Sequence, residues 1–290
     1  MNPSQLLFWL CAHVGRPFGG VRPRRIVHRL AKRAFTQPPK PDEFRWYTDC
    51  YGLKFRLHPY YLLDYQVIAF GTYDPWLGEM IERQVHPGMW CLDVGANLGL
   101  MGLHLAKRVG PTGRVHAFEP VPHLQARLRE NVAANGFGDR VAVHGEALSD
   151  RTGSMTLTLA DPHAANQGTA TLTGDAQSGT KVEVATLTLD DFAARTALTR
   201  LDLIKVDIQG AEPLFLAGGA ATLRRFRPKL LMEVQPEDLA GLGKTSRDLL
   251  RQLEDLGYRV HELERRGRIG RRVHADSVPE NYSRDAVWCE

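Results

Sequence analysis

From residue 89 onward, short apolar runs alternate with amphipathic stretches. The runs "MWCLDV" (89–94), "RVHAFEP" (114–120), "VAVHGEAL" (141–148), "LDLIKVD" (201–207) and "KLLMEV" (229–234) read as buried strands. Between them the spacing predicts helices through Leu98–Val109, across Pro122–Asn135 with Gly136 closing it, and from about Ala211. Strands separated by helices of this length build βαβ units around a parallel sheet, and right-handed crossovers bring the strands' C-terminal ends to one edge. Between 150 and 200 the period changes. "GSMTLTLA" (153–160) and "TKVEVATLTLD" (180–190) alternate polar and apolar residues, as half-exposed strands do, and "HAANQGTATLTGDAQSGT" (163–180) lies between them as a loop. A β insertion at about 150–190 is therefore expected. In the tail, "YRVHEL" (258–263) and "RDAVWCE" (284–290) read as an antiparallel pair completing the sheet edge. Residues 1–45 look like an arm ending in the stiff "QPPKP" segment (37–41), which leaves a body over 46–290.

Composition narrows this picture modestly. With 290 residues, 43% of them hydrophobic, the chain can bury one large core. Cys11, Cys50, Cys91 and Cys289 are scattered and form no C-x-x-C pair, which argues against a zinc site or a disulfide framework and fits a reducing compartment. The apolar stretch Leu6–Val14 is about half of the ~20 residues that a membrane span needs. No basic segment precedes it, so a cytoplasmic location is the expectation.

Charge is more informative. The net +4 is uneven, because residues 1–41 carry eight Lys and Arg and no acid, leaving 29 basic against 33 acidic residues in the rest. A basic arm on an acidic body can touch an anionic membrane peripherally, or it can be an ordinary solvated extension. A second arginine cluster, "ERRGRIGRR" (264–272), has the glycines of a hairpin tip.

The chemistry concentrates at "CLDVGANLGL" (91–100), where a buried strand ends on Asp93 and hands over to Gly95, Asn97 and Gly99. Glycines there let a ligand approach backbone N–H groups at a helix start. The dinucleotide pattern G-x-G-x-x-G fails at Asn97 and Leu100, and no Lys follows as a phosphate loop requires. Asp93 would repel a pyrophosphate but welcome an ammonium or sulfonium. Glu119, ending the second strand, is placed to accept ribose hydroxyls, and Glu146 or the Ala147 backbone, after the third, to meet an adenine edge. Acids around a cationic, ribose- and adenine-bearing ligand point to S-adenosyl-L-methionine. The plainer alternative makes Asp93 a helix cap, the glycines packing sites and Glu119 a surface ion pair.

At these residues the chain resembles a known family. "LDVGANLG", "VHAFEPVPHLQARLRENVAANG", "EALSD", "LDLIKVDIQGAE" and "LLMEV" are similar to the successive motifs of FkbM-type S-adenosylmethionine-dependent methyltransferases, over about residues 70–240. The resemblance implies a Rossmann-like class I methyltransferase, an α/β fold with a mostly parallel seven-stranded sheet and helices on both faces. It also implies O-methylation of hydroxyls on sugars, glycans or natural products. Where the family's block usually carries Glu, this chain has Gln209.

Methyl transfer from a sulfonium is an in-line displacement, and a hydroxyl acceptor needs a group to take its proton. Asp207, ending the fourth strand, is the first candidate and Glu233 on the fifth is the second; capping or cofactor contact competes with both roles. Lys205 reads as structural, pairing with Asp207 or Asp93, and Glu212 as a first-turn helix acid. A metal held by Asp190, Asp191 and Asp207 is not expected. His58 and His163 are weaker base candidates, and Tyr73 and Trp76 in "GTYDPW" (71–76) suit a pocket rim or the core. Three rival functions remain, of which an NAD-dependent dehydrogenase is disfavoured by the Asn97 mismatch and by Asp93. Nucleic-acid methylation lacks the [NDS]-P-P-[YF] block or a nucleophilic Cys at the sheet edge, and a non-catalytic cofactor-binding module is encouraged only by Gln209.

Overall fold

The computed structural model describes residues 43–159, 170–171, 180–264 and 266–290. The basic arm's eight cations, His163 and most of the loop around it lie outside the described residues. What is described falls into two compact units, one ending at Pro75 and the other running from Trp76.

In the first unit, β1 (Arg45–Thr48) and β2 (Lys54–Leu57) form an antiparallel hairpin, followed by α1 (Leu62–Phe70). Gly71 ends α1 in the left-handed conformation, at φ +77°, and its N–H returns to the Val67 carbonyl. His58 is fully buried here. Its backbone N–H donates to Asp64 Oδ2 at 2.8 Å and its ring lies edge-on to Phe44, so it has the environment of a packed core histidine.

The second unit opens with α2 (Pro75–Gln84) and then alternates as the sequence pattern predicts. It runs through β3 (Trp90–Val94), α3 (Leu100–Val109), β4 (Arg114–Phe118), α4 (Pro122–Ala134) and β5 (Val141–His144). After the insertion come α5 (Leu189–Arg195), β10 (Leu203–Val206), α6 (Glu212–Gly218), α7 (Ala220–Phe226) and β11 (Lys229–Val234). The chain closes with α8 (Pro236–Leu239), α9 (Ser246–Asp255), β12 (Val260–Glu264), β13 (Arg268–Val273) and β14 (Arg284–Cys289).

The main sheet has eight strands in the order β13-β12-β14-β11-β10-β3-β4-β5, not the seven expected. Neighbours from β11 to β5 pair in parallel, and β14 runs antiparallel between β11 and β12. The eighth strand is β13, half of the arginine-rich hairpin. The tail pair forms as expected, with Val260 opposite Cys289, but among the described residues β13 lies outside it at the edge. From β3 the chain steps one way to β4 and β5, and later the other way through β10 and β11. The reversal between β3 and β10 is a topological switch point, and open α/β sheets bind ligands at the C-terminal ends of the strands there.

Strands β3 and β10 are buried on both faces, which is why they read as nearly continuous apolar runs. Leu92, Val94, Ile204, Val206, Leu230 and Met232 share one core with Phe192, Phe215 and Leu216 from the helices. Truncating any such leucine to alanine costs about 2–5 kcal/mol.

The run "VAVHGEAL" is two strands rather than one. β5 stays in the main sheet, while β6 (Ala147–Leu148) leaves to pair with the insertion. There β6, β7 (Gly153–Leu159), β8 (Ala170–Thr171) and β9 (Thr180–Leu187) make a second sheet in the order β6-β9-β7-β8. The strand read as 180–190 stops at Leu187 because the Thr188 hydroxyl caps α5, accepting from Asp191 N. Asp190 accepts from Thr222 N at 2.7 Å and Asp191 is bonded by the Thr152 hydroxyl, so both aspartates serve helix starts and turns.

Candidate active site

The loop after β3 is shaped by three left-handed residues in five: Gly95 at φ +76°, Asn97 at +53° and Gly99 at +95°. A Cβ on Gly95 would lie 1.9 Å from the Asp207 carbonyl oxygen, so only glycine lets the end of β3 pass that close to the end of β10. A Cβ on Gly99 would meet Leu103 and Leu128 at 2.6 Å, at the start of α3. Asn97 tolerates its conformation better than most residues, and its side-chain oxygen accepts from Leu98 N at 2.8 Å.

Glu119 anchors this loop from the next strand. It is 4% exposed; Oε2 accepts from Asn97 N at 2.7 Å and Oε1 from Val121 N at 2.9 Å. The sequence pattern gave its oxygens to a ribose or to a surface ion pair, and its burial rules out the second. In the fold each oxygen first takes a backbone N–H, and a carboxylate oxygen has a second lone pair left for a hydroxyl. Burial pushes its carboxyl up to about 7, against the opposing pull of those two N–H groups.

Asp93 lies within the sheet, on β3. It is fully buried, in register with Lys205 on β10, and Lys205 Nζ stands 3.3 Å from Asp93 Oδ1. Burial raises the Asp93 carboxyl and the ammonium lowers it. The same Nζ donates to the Gly95 carbonyl at 3.0 Å and stands 3.5 Å from Asp207 Oδ2. One lysine thus ties the buried strand acid, the glycine loop and the acid at the end of β10. The sequence pattern offered Asp93 or Asp207 as its partner; the structure gives it both.

Beyond Asp207 the backbone turns through two left-handed residues, Gln209 at φ +53° and Gly210 at +93°. Gln209 Nε2 thereby reaches Asp207 Oδ1 at 3.3 Å and Glu233 Oε2 on β11 at 3.4 Å. The Asp207 side chain is 32% exposed. Burial opposes its charge, but the Lys205 ammonium, a hydrogen bond from Glu233 and the Gln209 amide together hold its carboxyl below the usual range. Burial and the charge of Asp207 drive Glu233 the other way, so it carries the proton of the pair. Glu212, in the first turn of α6, accepts from Ile208 N at 3.0 Å and is pushed by burial up to about 7. Sequence reasoning missed the bridging role of Gln209 because it depends on a backbone turn, not on residue spacing.

Glu146 and Ala147, at the start of β6, are both half-buried. A feature not foreseen lies on β4 and β5: His116 Nδ1 and His144 Nε2 are 3.0 Å apart, and His144 stacks on Phe118. Burial lowers His116 to about 4 and also lowers His144, so both rings are neutral near pH 7. Trp76, at the start of α2, is 39% exposed. Among the described residues, no three His, Cys, Asp or Glu side chains are grouped as metal ligands, and no helix is long and apolar enough to cross a membrane.

A doubly wound sheet, a glycine turn after its first strand and an acid ending its second are the features of a nucleoside-binding α/β fold. The family of the Methyltransferase FkbM domain matches residues 93–260, and the chain belongs to that family of S-adenosylmethionine-dependent methyltransferases. It is 31% identical over 186 residues to the 2-O-methyltransferase NoeI of Sinorhizobium fredii, covering 55% of this chain and 71% of that one. The 31-O-demethyl-FK506 methyltransferase FkbM of Streptomyces tacrolimicus is 27% identical over 159 residues, covering 47% of this chain and 61% of that one. Among solved structures, a methyltransferase FkbM from Methylobacillus flagellatus aligns with 18% identity and a TM-score of 0.43, over 92% of this chain and 60% of that one.

The residues present fit S-adenosyl-L-methionine on two counts. Glu119 has lone pairs to spare at the second strand end, and Asp93 with Asp207 outnumber the charge of Lys205, which suits a cationic donor.

Proposed function

We propose that this methyltransferase acts on a hydroxyl of a sugar, glycan or other natural product. The observation that carries this reading is the acid pair at the ends of β10 and β11. Asp207 is ionised and partly exposed, with Glu233 hydrogen-bonded to it, beside the donor loop. Two relatives, a 2-O-methyltransferase and a 31-O-demethyl-FK506 methyltransferase, support the same class of acceptor.

Donor binding falls to Gly95, Asn97 and Gly99, which bring backbone close to the ligand, and to Glu119 for the ribose. Glu146 and the Ala147 backbone take the adenine edge. Asp93, through Lys205, makes the switch point electronegative rather than touching the donor. When bound, S-adenosyl-L-methionine supplies an electrophilic methyl on a positively charged sulfur. Asp207 accepts the acceptor's O–H hydrogen bond and then its proton, and Glu233 steadies the Asp207 anion. Such positioned proton acceptance contributes roughly 10²-fold or more to turnover. The basic arm over residues 1–45 remains a proposal for peripheral contact with an anionic membrane, alongside a cytoplasmic location; a nucleic-acid partner is not favoured.

An acceptor screen tests the reading. Cell-extract glycans and small metabolites are incubated with isotope-labelled S-adenosyl-L-methionine, and labelled products are identified by mass spectrometry. A methyl ether on a hydroxyl is the expected product. Label found only on RNA or only on nitrogen would sink the proposal.

A further inference from the structure

Gln209 is the least expected member of the site, standing where the resemblance leads one to expect an acid. Its backbone adopts the left-handed conformation, which is costly for a residue with a Cβ and is paired here with a glycine at 210. What that conformation achieves is placement. Gly210 packs against the Asp238 carbonyl, where a Cβ would stand 2.4 Å away, so the turn is pinned from α8. The Gln209 side chain then projects between two strand ends, and its one amide nitrogen faces a carboxyl on each side, 3.3 Å from Asp207 and 3.4 Å from Glu233. A primary amide has two N–H bonds, one for each acid.

We infer that Gln209 is a positioning residue for methyl transfer: by donating to both carboxyls at once it fixes Asp207 and Glu233 as a pair with a single proton and keeps the negative charge on Asp207, the group that receives the hydroxyl proton. This rests on the O-methylation reading above. In the step, the acceptor oxygen forms a bond to the methyl carbon and the carbon–sulfur bond breaks. Its electron pair stays on sulfur, which becomes a neutral thioether. The O–H proton passes to Asp207, which becomes a neutral acid, so the sulfonium charge and the carboxylate charge disappear together.

A carboxylate at position 209 would upset this balance. Besides each other, Asp207 and Glu233 face Lys205 on β10, Glu212 on α6, Asp238 on α8 and, through Lys205, Asp93 on β3. That is one cation among five acids. A sixth acid would have to hold a proton itself or force one onto Asp207, whereas a neutral amide adds two donors and no charge.

The test is a carboxyl-selective carbon NMR titration of the full chain, assigned with Asp207→Asn and Glu233→Gln. It is run on the wild type, Gln209→Asn and Gln209→Glu. Asparagine tolerates the left-handed backbone but is too short to reach both acids, so the fold is kept while the bridge is cut. In the wild type, Asp207 should titrate below the usual carboxylate range and Glu233 above it. In Gln209→Asn the two proton affinities should approach each other by about tenfold. Gln209→Glu should add a further carboxyl titrating above the usual range. With an acceptor in hand, kcat of Gln209→Asn should fall about tenfold and the acid limb of its pH profile should move upward, while the donor KM stays put. Unchanged titrations in Gln209→Asn overturn the inference, as does an effect confined to donor KM. These titrations need no acceptor. If they shift as expected while the extract screen yields no methylated hydroxyl, the pairing role stands and the O-methylation reading alone falls.

Discussion

Two regions meet along the same sheet edge and are built in opposite ways. The loop between β3 and α3 is a backbone construction. Three left-handed residues set its path, and Glu119 fastens it through main-chain N–H groups. The ends of β10 and β11 are a side-chain construction, in which Lys205, Asp207, Gln209 and Glu233 hold one another across strands. Backbone constructions fail when a Cβ is added. Side-chain constructions fail when a charge or a donor is moved. A site assembled from both should show two separable kinds of defect.

Gly95→Ala should have the largest effect. The added carbon meets the Asp207 carbonyl at 1.9 Å, so the loop must be displaced. Donor affinity by calorimetry should drop beyond ~100-fold, with a stability loss of about 2 kcal/mol or more in thermal melts. Retained donor binding would break the contrast at its root.

Asp207→Asn should divide the two regions most cleanly. Turnover should fall by ~10²-fold or more while donor affinity changes less than about threefold. An equal loss of both would mean that the acid belongs to the donor side.

Glu119 sharpens the comparison through pH. Its carboxyl stands at about 7, so its anion, and with it the hold on the donor, should grow as pH rises from 6 to 8. Glu119→Gln should bind the donor about tenfold more weakly at pH 8 and should flatten that dependence. Stability runs the opposite way. A buried acid whose value is raised from 4.5 to about 7 stabilises the fold fully below pH 4.5 and loses that contribution as pH climbs through 7. Glu212 shares this behaviour, and each accounts for roughly 3 kcal/mol at most. Asp207, held below its usual range, contributes above that range and loses its contribution in acid. Chemical denaturation between pH 4 and 8 should show the first slope in the wild type and a shallower one in Glu119→Gln.

Glu146→Ala should give the smallest change, a loss of donor affinity of about threefold to tenfold from one hydrogen bond at a half-buried position.

The two regions also differed in how far the sequence disclosed them. Strands β3, β4, β10 and β11 were legible because burial on both faces writes a continuous apolar run, and the loop was legible because left-handed turns demand glycine or asparagine. The departure of β6 into the insertion was not, since Gly145 in "VAVHGEAL" marks a break without saying which sheet the chain pairs with next. Nor was the eighth strand: "RIGRRV" is half arginine and lacks regular alternation, and its pairing with β12 depends on the hairpin fold rather than on apolar content. At the site, Asp207 and Glu233 could be named from strand ends. That Lys205 serves three oxygens at once, and that Gln209 spans two acids, follows from cross-strand register and a turn that no spacing rule encodes.

The edge strand β13 has its own effect on how molecules of this protein behave together. Its outer row of peptide groups is a template that another chain could extend, and Ile269 sits on it exposed. Arg268, Arg271 and Arg272 line that template, so two copies aligned edge to edge would bring like charges into contact. Raising the salt concentration screens that repulsion. Concentrated samples should therefore keep longest at low ionic strength, with sheet-to-sheet clumping the first sign of trouble in brine.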